Sequence, residues 1–167
     1  MKTPLFFKLS ISIPILSLLF SACGPSASIA QSELGRDTAP NTPPDAIQSL
    51  VNNNNTFAFD LYQSLQTQDG NLIYSPYSIS LALAMTYAGA RGETEAQMSQ
   101  ALHFLPQDQV HPAFNALDLQ LAERGKAQSK DETPLQLNVV NAVWAEQTYP
   151  FQQSFLDTIA LNYGAGI

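Results

Sequence analysis

Twelve consecutive residues, Ile79-Ser-Leu-Ala-Leu-Ala-Met-Thr-Tyr-Ala-Gly-Ala90, are small or apolar on nearly every helical face. A surface helix carries a polar stripe, whereas one that is apolar all round has to be enclosed by other elements. Ser75-Pro76 opens this helix: a serine hydroxyl at the N-cap satisfies an orphan N–H, and proline at the first helical position loses nothing by lacking one. Gly89 and Gly92 bracket its exit. The chain must therefore supply neighbours on several sides, and periodicity on both flanks predicts them. Upstream, Asn55 or Thr56 caps a helix carrying Phe57, Phe59, Leu61, Tyr62 and Leu65. Downstream, Thr94-Glu-Ala-Gln97 has the form of a capping box, followed by Met98, Ala101, Leu102 and Leu105 at helical spacing and a stop at Pro106. A further helix near 108–124 has Val110, Phe114, Leu117 and Leu121 on one side, and a last one after Pro150 turns Phe151, Phe155, Leu156 and Ile159 inward.

Two stretches read as strands. Leu72-Ile-Tyr74 follows the turn-forming Gln68-Asp-Gly-Asn71. Leu135-Gln-Leu-Asn-Val-Val-Asn-Ala-Val-Trp-Ala145 alternates at first and then becomes apolar on both faces, like a strand entering a covered sheet. The expected fold class is α+β.

The N-terminus has a different character. Lys2 and Lys8 precede the apolar run Leu9–Phe20. A helix needs roughly 20 residues to cross a hydrocarbon core of about 30 Å, so this run is too short to span and has the layout of a signal peptide. Leu19-Phe-Ser-Ala-Cys23 resembles a bacterial lipobox, with Phe20 in place of the usual leucine. Ordinary cleavage after Ser28-Ile-Ala30 is the alternative, and the position of the lone cysteine favours lipid attachment at Cys23. Residues 24–51 are rich in Ser, Thr, Asn, Gln and Pro, including Pro25, Pro40, Pro43 and Pro44. The expected division is a signal peptide at 1–22, a lipidated cysteine and flexible tether at 23–51, and a folded unit at 52–167. The expected location is that of an exported lipoprotein anchored to a membrane of the bacterial envelope or cell surface, or else periplasmic or extracellular.

Charge and motif content remove several function classes. Seven basic against 14 acidic residues give a net charge of −7, with no basic cluster to neutralise phosphates, so no nucleic-acid partner is expected. A single cysteine excludes an internal disulfide and a cysteine-rich zinc module. His103 and His111 have no carboxylate or second histidine at ligand spacing. His103 reads as a helix-surface residue, and His111 as part of a turn before Pro112. Glu93 and Glu95 suit the positive end of a helix dipole. No nucleophile elbow, zinc motif or phosphate loop occurs, and neither an enzyme, a cofactor nor a metal is expected.

The stretch Asn71-Leu-Ile-Tyr-Ser-Pro-Tyr-Ser-Ile-Ser-Leu-Ala-Leu-Ala-Met-Thr-Tyr-Ala-Gly-Ala-Arg-Gly-Glu-Thr-Glu-Ala-Gln-Met98 resembles the N-terminal signature region of serpins. Asn141-Ala-Val-Trp-Ala145, Tyr149-Pro-Phe151, Phe155-Leu-Asp-Thr158 and Tyr163-Gly-Ala165 extend the likeness in order and spacing. The resemblance implies the family's helices A to E, with strand 6B before the second helix and strand 2A before the fifth. It also implies serine protease inhibition: an exposed reactive-centre loop is cut, inserts as a new strand into the main sheet, and carries the acylated protease with it. Ser75 and Ser78 match the shutter positions that hold the sheet closed, with simple helix capping as a compatible role for both; Ser75 and Thr94 are the expected helix caps. Asn141 matches the strand 2A asparagine, where a buried backbone hydrogen bond would suffice.

The likeness ends at Ile167, before the hinge, the reactive-centre loop and most of the main sheet. The expected chain is thus a truncated member that is not inhibitory alone, with a non-inhibitory surface lipoprotein or a remnant with a binding role as the alternative. Serine proteases are the partners of the complete protein. No heparin partner is expected, because the helix near 108–124 carries only Arg124 near its end. Val139, Val143 and Trp144 would leave an apolar, aggregation-prone edge.

Overall fold

Ser75 starts the central helix by the chemistry expected of it. In the computed structural model, which describes residues 30–67, 69–124, 139–146 and 148–166, five helices follow one another: α1 (Pro44–Leu65), α2 (Pro76–Tyr87), α3 (Glu93–Leu102), α4 (Gln107–Arg124) and α5 (Gln153–Tyr163). Ser75 is extended at the N-cap of α2 and its hydroxyl accepts the Ser78 N–H. Leu81, Ala84 and Tyr87 pack with Leu50 and Phe57 of α1, Leu102 of α3, and Val110, Ala113 and Phe114 of α4. On its other side, Met85 and Ala88 meet Ile159 of α5, with Val143 and Phe155 against them. The helix that lacked a polar stripe is thus enclosed, each large side chain contributing about 1.5–3 kcal/mol by burial.

Aromatic rings bind the first cluster together. Tyr87 and Phe104 lie 5.3 Å apart between ring centroids, and Phe104 meets Phe114 edge-on at 6.0 Å. Such pairs add about 0.5–1.5 kcal/mol beyond their buried area.

Helix α1 begins at Pro44, well before Asn55 or Thr56 and inside the stretch read as tether. Pro44 has the fixed φ that suits a first helical position, and Ala46, Leu50 and Phe57 form the buried stripe that holds the helix down. Phe59 and Tyr62 lie off that stripe and are exposed.

The expected α+β class is wrong for the described residues, which are all-helical and contain no strand. Strand 6B is not formed at Leu72–Tyr74: Ile73 is 94% exposed, and the local anchor is instead the Tyr74 hydroxyl, which donates to Ala58 O at 3.1 Å. Strand 2A is not formed at 139–146 either, where Val140 and Trp144 are 87% and 90% exposed; Leu135–Asn138 lie outside the described residues. Alternating side chains suit a strand, but a strand exists only through a neighbour that takes up its N–H and C=O groups. Among the described residues neither stretch has such a neighbour.

Two further expectations are corrected. The N-cap of α3 is Gly92, at φ 62, so Thr94 lies inside the helix and does not cap it. Gln97 bonds the Glu93 side chain at 2.9 Å in place of closing a capping box. Pro112 and His111 lie within α4, not in a turn, and His111 is buried. Proline in a helix interior forfeits a backbone bond, and the apolar contacts of Val110, Ala113 and Phe114 hold the helix in spite of that loss.

Candidate functional site

The three residues singled out as shutter positions fall in two places. Ser75 and Ser78 form a closed local pair at the start of α2, where Ser75 Oγ accepts the Ser78 N–H at 3.3 Å and donates to Ser78 Oγ at 3.0 Å. Asn141 lies in the wall of a separate cleft of about 340 Å³, and neither serine lines it. Leu81 and Met85 of α2, Phe114 and Asp118 of α4, and Tyr163 at the end of α5 form the facing walls. Asn141 Nδ2 is enclosed and has no partner among the described residues. Ser80, two residues beyond the shutter serines, is fully buried, and its hydroxyl likewise has no partner there.

The polar side of this cleft is built from a segment that precedes α1. Arg36 donates through Nε to Asn115 Oδ1 at 2.8 Å and through a terminal nitrogen to Asp118 Oδ2 at 2.7 Å. Asn115 is fully buried on α4 and donates to two backbone carbonyls, Asp37 O at 2.8 Å and Leu161 O at 3.3 Å. The Asp37 N–H reaches Leu161 O at 2.9 Å, and Ser32 Oγ donates to Asp157 at 2.5 Å. That hydroxyl, with help from Gln153, holds the Asp157 carboxyl below its ordinary value. One buried amide thereby joins α4, α5 and residues 32–37. Its signal in the sequence was slight: an asparagine between Phe114 and Ala116 on an otherwise apolar helical face.

A second buried polar pair lies behind the cleft. His111 Nδ1 and the Tyr163 hydroxyl are 2.7 Å apart, with the Tyr87 ring on the other side at 6.1 Å. Burial, assisted by the Arg91 charge, lowers the His111 pKa to about 4, so the imidazole is neutral at physiological pH. Burial also raises the Tyr163 phenol well above its ordinary value, as burial and the Asp118 charge do for Tyr77. His103, at the C-cap of α3 with φ 54, pairs with Asp60 at 2.7 Å on the surface.

None of these groups forms a catalytic constellation. His111 faces a tyrosine and not a nucleophile paired with a base, and its depressed pKa makes it a weak proton acceptor. No group of three His, Cys, Asp or Glu able to hold a metal ion occurs among the described residues. Cys23, read as a lipid attachment site, lies outside them. A further cleft of about 550 Å³ between the end of α2 and the start of α5 is lined by Tyr149, Phe151 and Phe155, with Arg91 at its edge. Among the described residues the geometry is that of a packing scaffold with open clefts on its surface.

The family model "Serpin (serine protease inhibitor)" matches residues 52–167. Leukocyte elastase inhibitor A of Rattus norvegicus is 34% identical over 123 residues, covering 72% of this chain and 31% of the relative. Leukocyte elastase inhibitor of Homo sapiens is 35% identical over 123 residues, with the same coverage. An uncharacterized serpin-like protein of Thermococcus kodakarensis is 35% identical over 132 residues, covering 75% of this chain and 30% of the relative. The chain thus spans under a third of the length of the curated relatives it matches.

These findings correct the expected location. No helix among the described residues is long and apolar enough to cross a membrane, and several of the relatives it resembles are named leukocyte elastase inhibitors, not envelope lipoproteins. The exported, membrane-anchored placement therefore does not stand.

Proposed function

The chain belongs to the serpin family, and on that footing we propose that it forms part of an inhibitor of serine proteases. The matching family model is described as a serine protease inhibitor, and the chain is not an enzyme. One observation carries the proposal: the motifs at 71–98, 141–145 and 149–165 fall in order within the matched stretch 52–167. In this reading the helices α1 to α5 are the base on which the inhibitory parts pack, and Ser75, Ser78 and Asn141 serve that base near the shutter. The relatives named leukocyte elastase inhibitors make an elastase-type serine protease the first target to try.

The chain spans under a third of its relatives' length, and in this reading the 167 residues alone leave a protease active. The test incubates leukocyte elastase with the 167-residue chain and, separately, with the longest product its gene encodes. Residual peptidase activity and detergent-stable complexes on a denaturing gel are the readouts. The expected result is full activity with the 167-residue chain and a stoichiometric, detergent-stable complex with the longest product. A complex with the short chain overturns the assignment of inactivity, and unimpaired elastase with the longest product overturns the inhibitor reading.

A further inference from the structure

We infer that the groove between α4 and α5 is a docking site for an extended segment carrying a serine and an arginine four residues apart, and that residues 32–37 fill it in cis as a releasable latch. The contacts are specific in chemistry. Ser32 donates to Asp157 of α5, Arg36 reaches both Asn115 and Asp118 of α4, and the Asp37 backbone pairs with Leu161 O and Asn115 Nδ2. Both helices present acceptors to this segment, and the carboxylates Asp118 and Asp157 make the groove acidic where the arginine and the hydroxyl enter. Arg36 also lies along Gly164: a Cβ added there would stand 3.2 Å from Arg36 Cδ, so the glycine leaves room for the arginine stem.

The latch is held by polar contacts and not by an apolar plug. Arg36 and Asp118 each remain 27% exposed, and no large apolar side chain of residues 31–37 is buried. Partly exposed ion pairs and polar contacts hold weakly one by one. Six residues, 38–43, connect the latch to Pro44 at the start of α1. So short a tether gives an effective concentration in the millimolar range, enough to keep a weak segment docked in cis. Arg36 and Asp118 line the same cleft as Asn141, so the state of the latch sets the polar wall of that cleft.

The experiment uses the full chain with Arg36→Ala, and Ser32→Ala as a second variant should the first fail to fold. Hydrogen exchange of amides in α5 is expected to speed up by about tenfold in Arg36→Ala, with α1 to α3 unchanged, as for loss of a charge-assisted bond. A synthetic peptide of residues 30–40, titrated to several millimolar and followed by chemical-shift changes, is expected to bind the variant and to bind the wild-type chain at least about tenfold more weakly, because the cis segment competes. Unchanged exchange in α5, or equal acceleration in all helices, overturns the latch. A peptide that binds neither chain, or both equally, overturns the docking site.

Discussion

Acidifying the solution from about pH 7.5 to about pH 5 protonates His111 in the unfolded chain before it can be protonated in the folded one. In the fold, the imidazole lies between Tyr87 of α2 and Tyr163 of α5, with Nδ1 2.7 Å from the Tyr163 hydroxyl and Nε2 without a partner among the described residues. Burial and the Arg91 charge place its folded pKa at about 4, against an ordinary value of 6.5. Between these values the unfolded state binds more protons, so stability falls as pH drops through 6.5 and the loss is complete below 4. At 1.36 kcal/mol per pH unit the loss approaches about 2 kcal/mol by pH 5 and about 3 kcal/mol at its limit. The two phenols around the ring do not titrate in this window, because burial shifts both Tyr87 and Tyr163 upward. His111→Phe keeps an aromatic ring and removes the titration. At pH 7.5 it costs about 1–3 kcal/mol for the orphaned Tyr163 hydroxyl. Urea unfolding followed by far-ultraviolet circular dichroism gives both stabilities as a function of pH. The wild-type advantage should shrink by about 2 kcal/mol between pH 7.5 and pH 5. Parallel pH profiles for the two proteins would refute the reasoning.

Other substitutions test separate parts of the fold. Ser75→Ala should cost about 1 kcal/mol by removing the α2 cap, whereas Thr94→Ala should change stability by less than about 0.5 kcal/mol because Gly92 occupies the α3 N-cap; paired chemical melts separate the two. Gly164→Ala should destabilise by about 1–2 kcal/mol, since φ is 63 there and the new methyl presses on Arg36; a drop no larger than that of an exposed helical control would contradict this account. Trp144→Ser should reduce self-association in sedimentation velocity and leave the urea midpoint unchanged, because the indole is 90% exposed and stabilises nothing within the chain. A lowered midpoint would show that the indole packs in the monomer.

Part of this was legible one residue at a time. An all-apolar run opened by Ser75-Pro76 dictated a central helix, because no other placement removes every face from water. The interiors of α3, α4 and α5 followed from their 3.6-residue spacing, and the family likeness from the ordered motifs around Ser75, Asn141 and Tyr149. These properties are local: a cap, a period and a stop each act within a few residues.

Other features depended on groups distant in sequence. Leu72–Tyr74 and 139–146 have the composition of strands, yet strand formation belongs to a pair, and no described residue supplies the second member. Polar residues 32–37 read as tether because, taken alone, they bury too little to become ordered. Asn115, 78 residues further on, supplies the contact that docks them. His111 looked like a turn residue beside Pro112 until Tyr87 and Tyr163 closed around it and left the imidazole neutral. The sequence by itself determined the central helix and its enclosure, because those follow from short-range sterics and an apolar run with no polar stripe. Only the tertiary structure decided which polar groups are satisfied, which histidine is buried and which N-terminal segment is held, because each of those depends on a partner that local pattern cannot name.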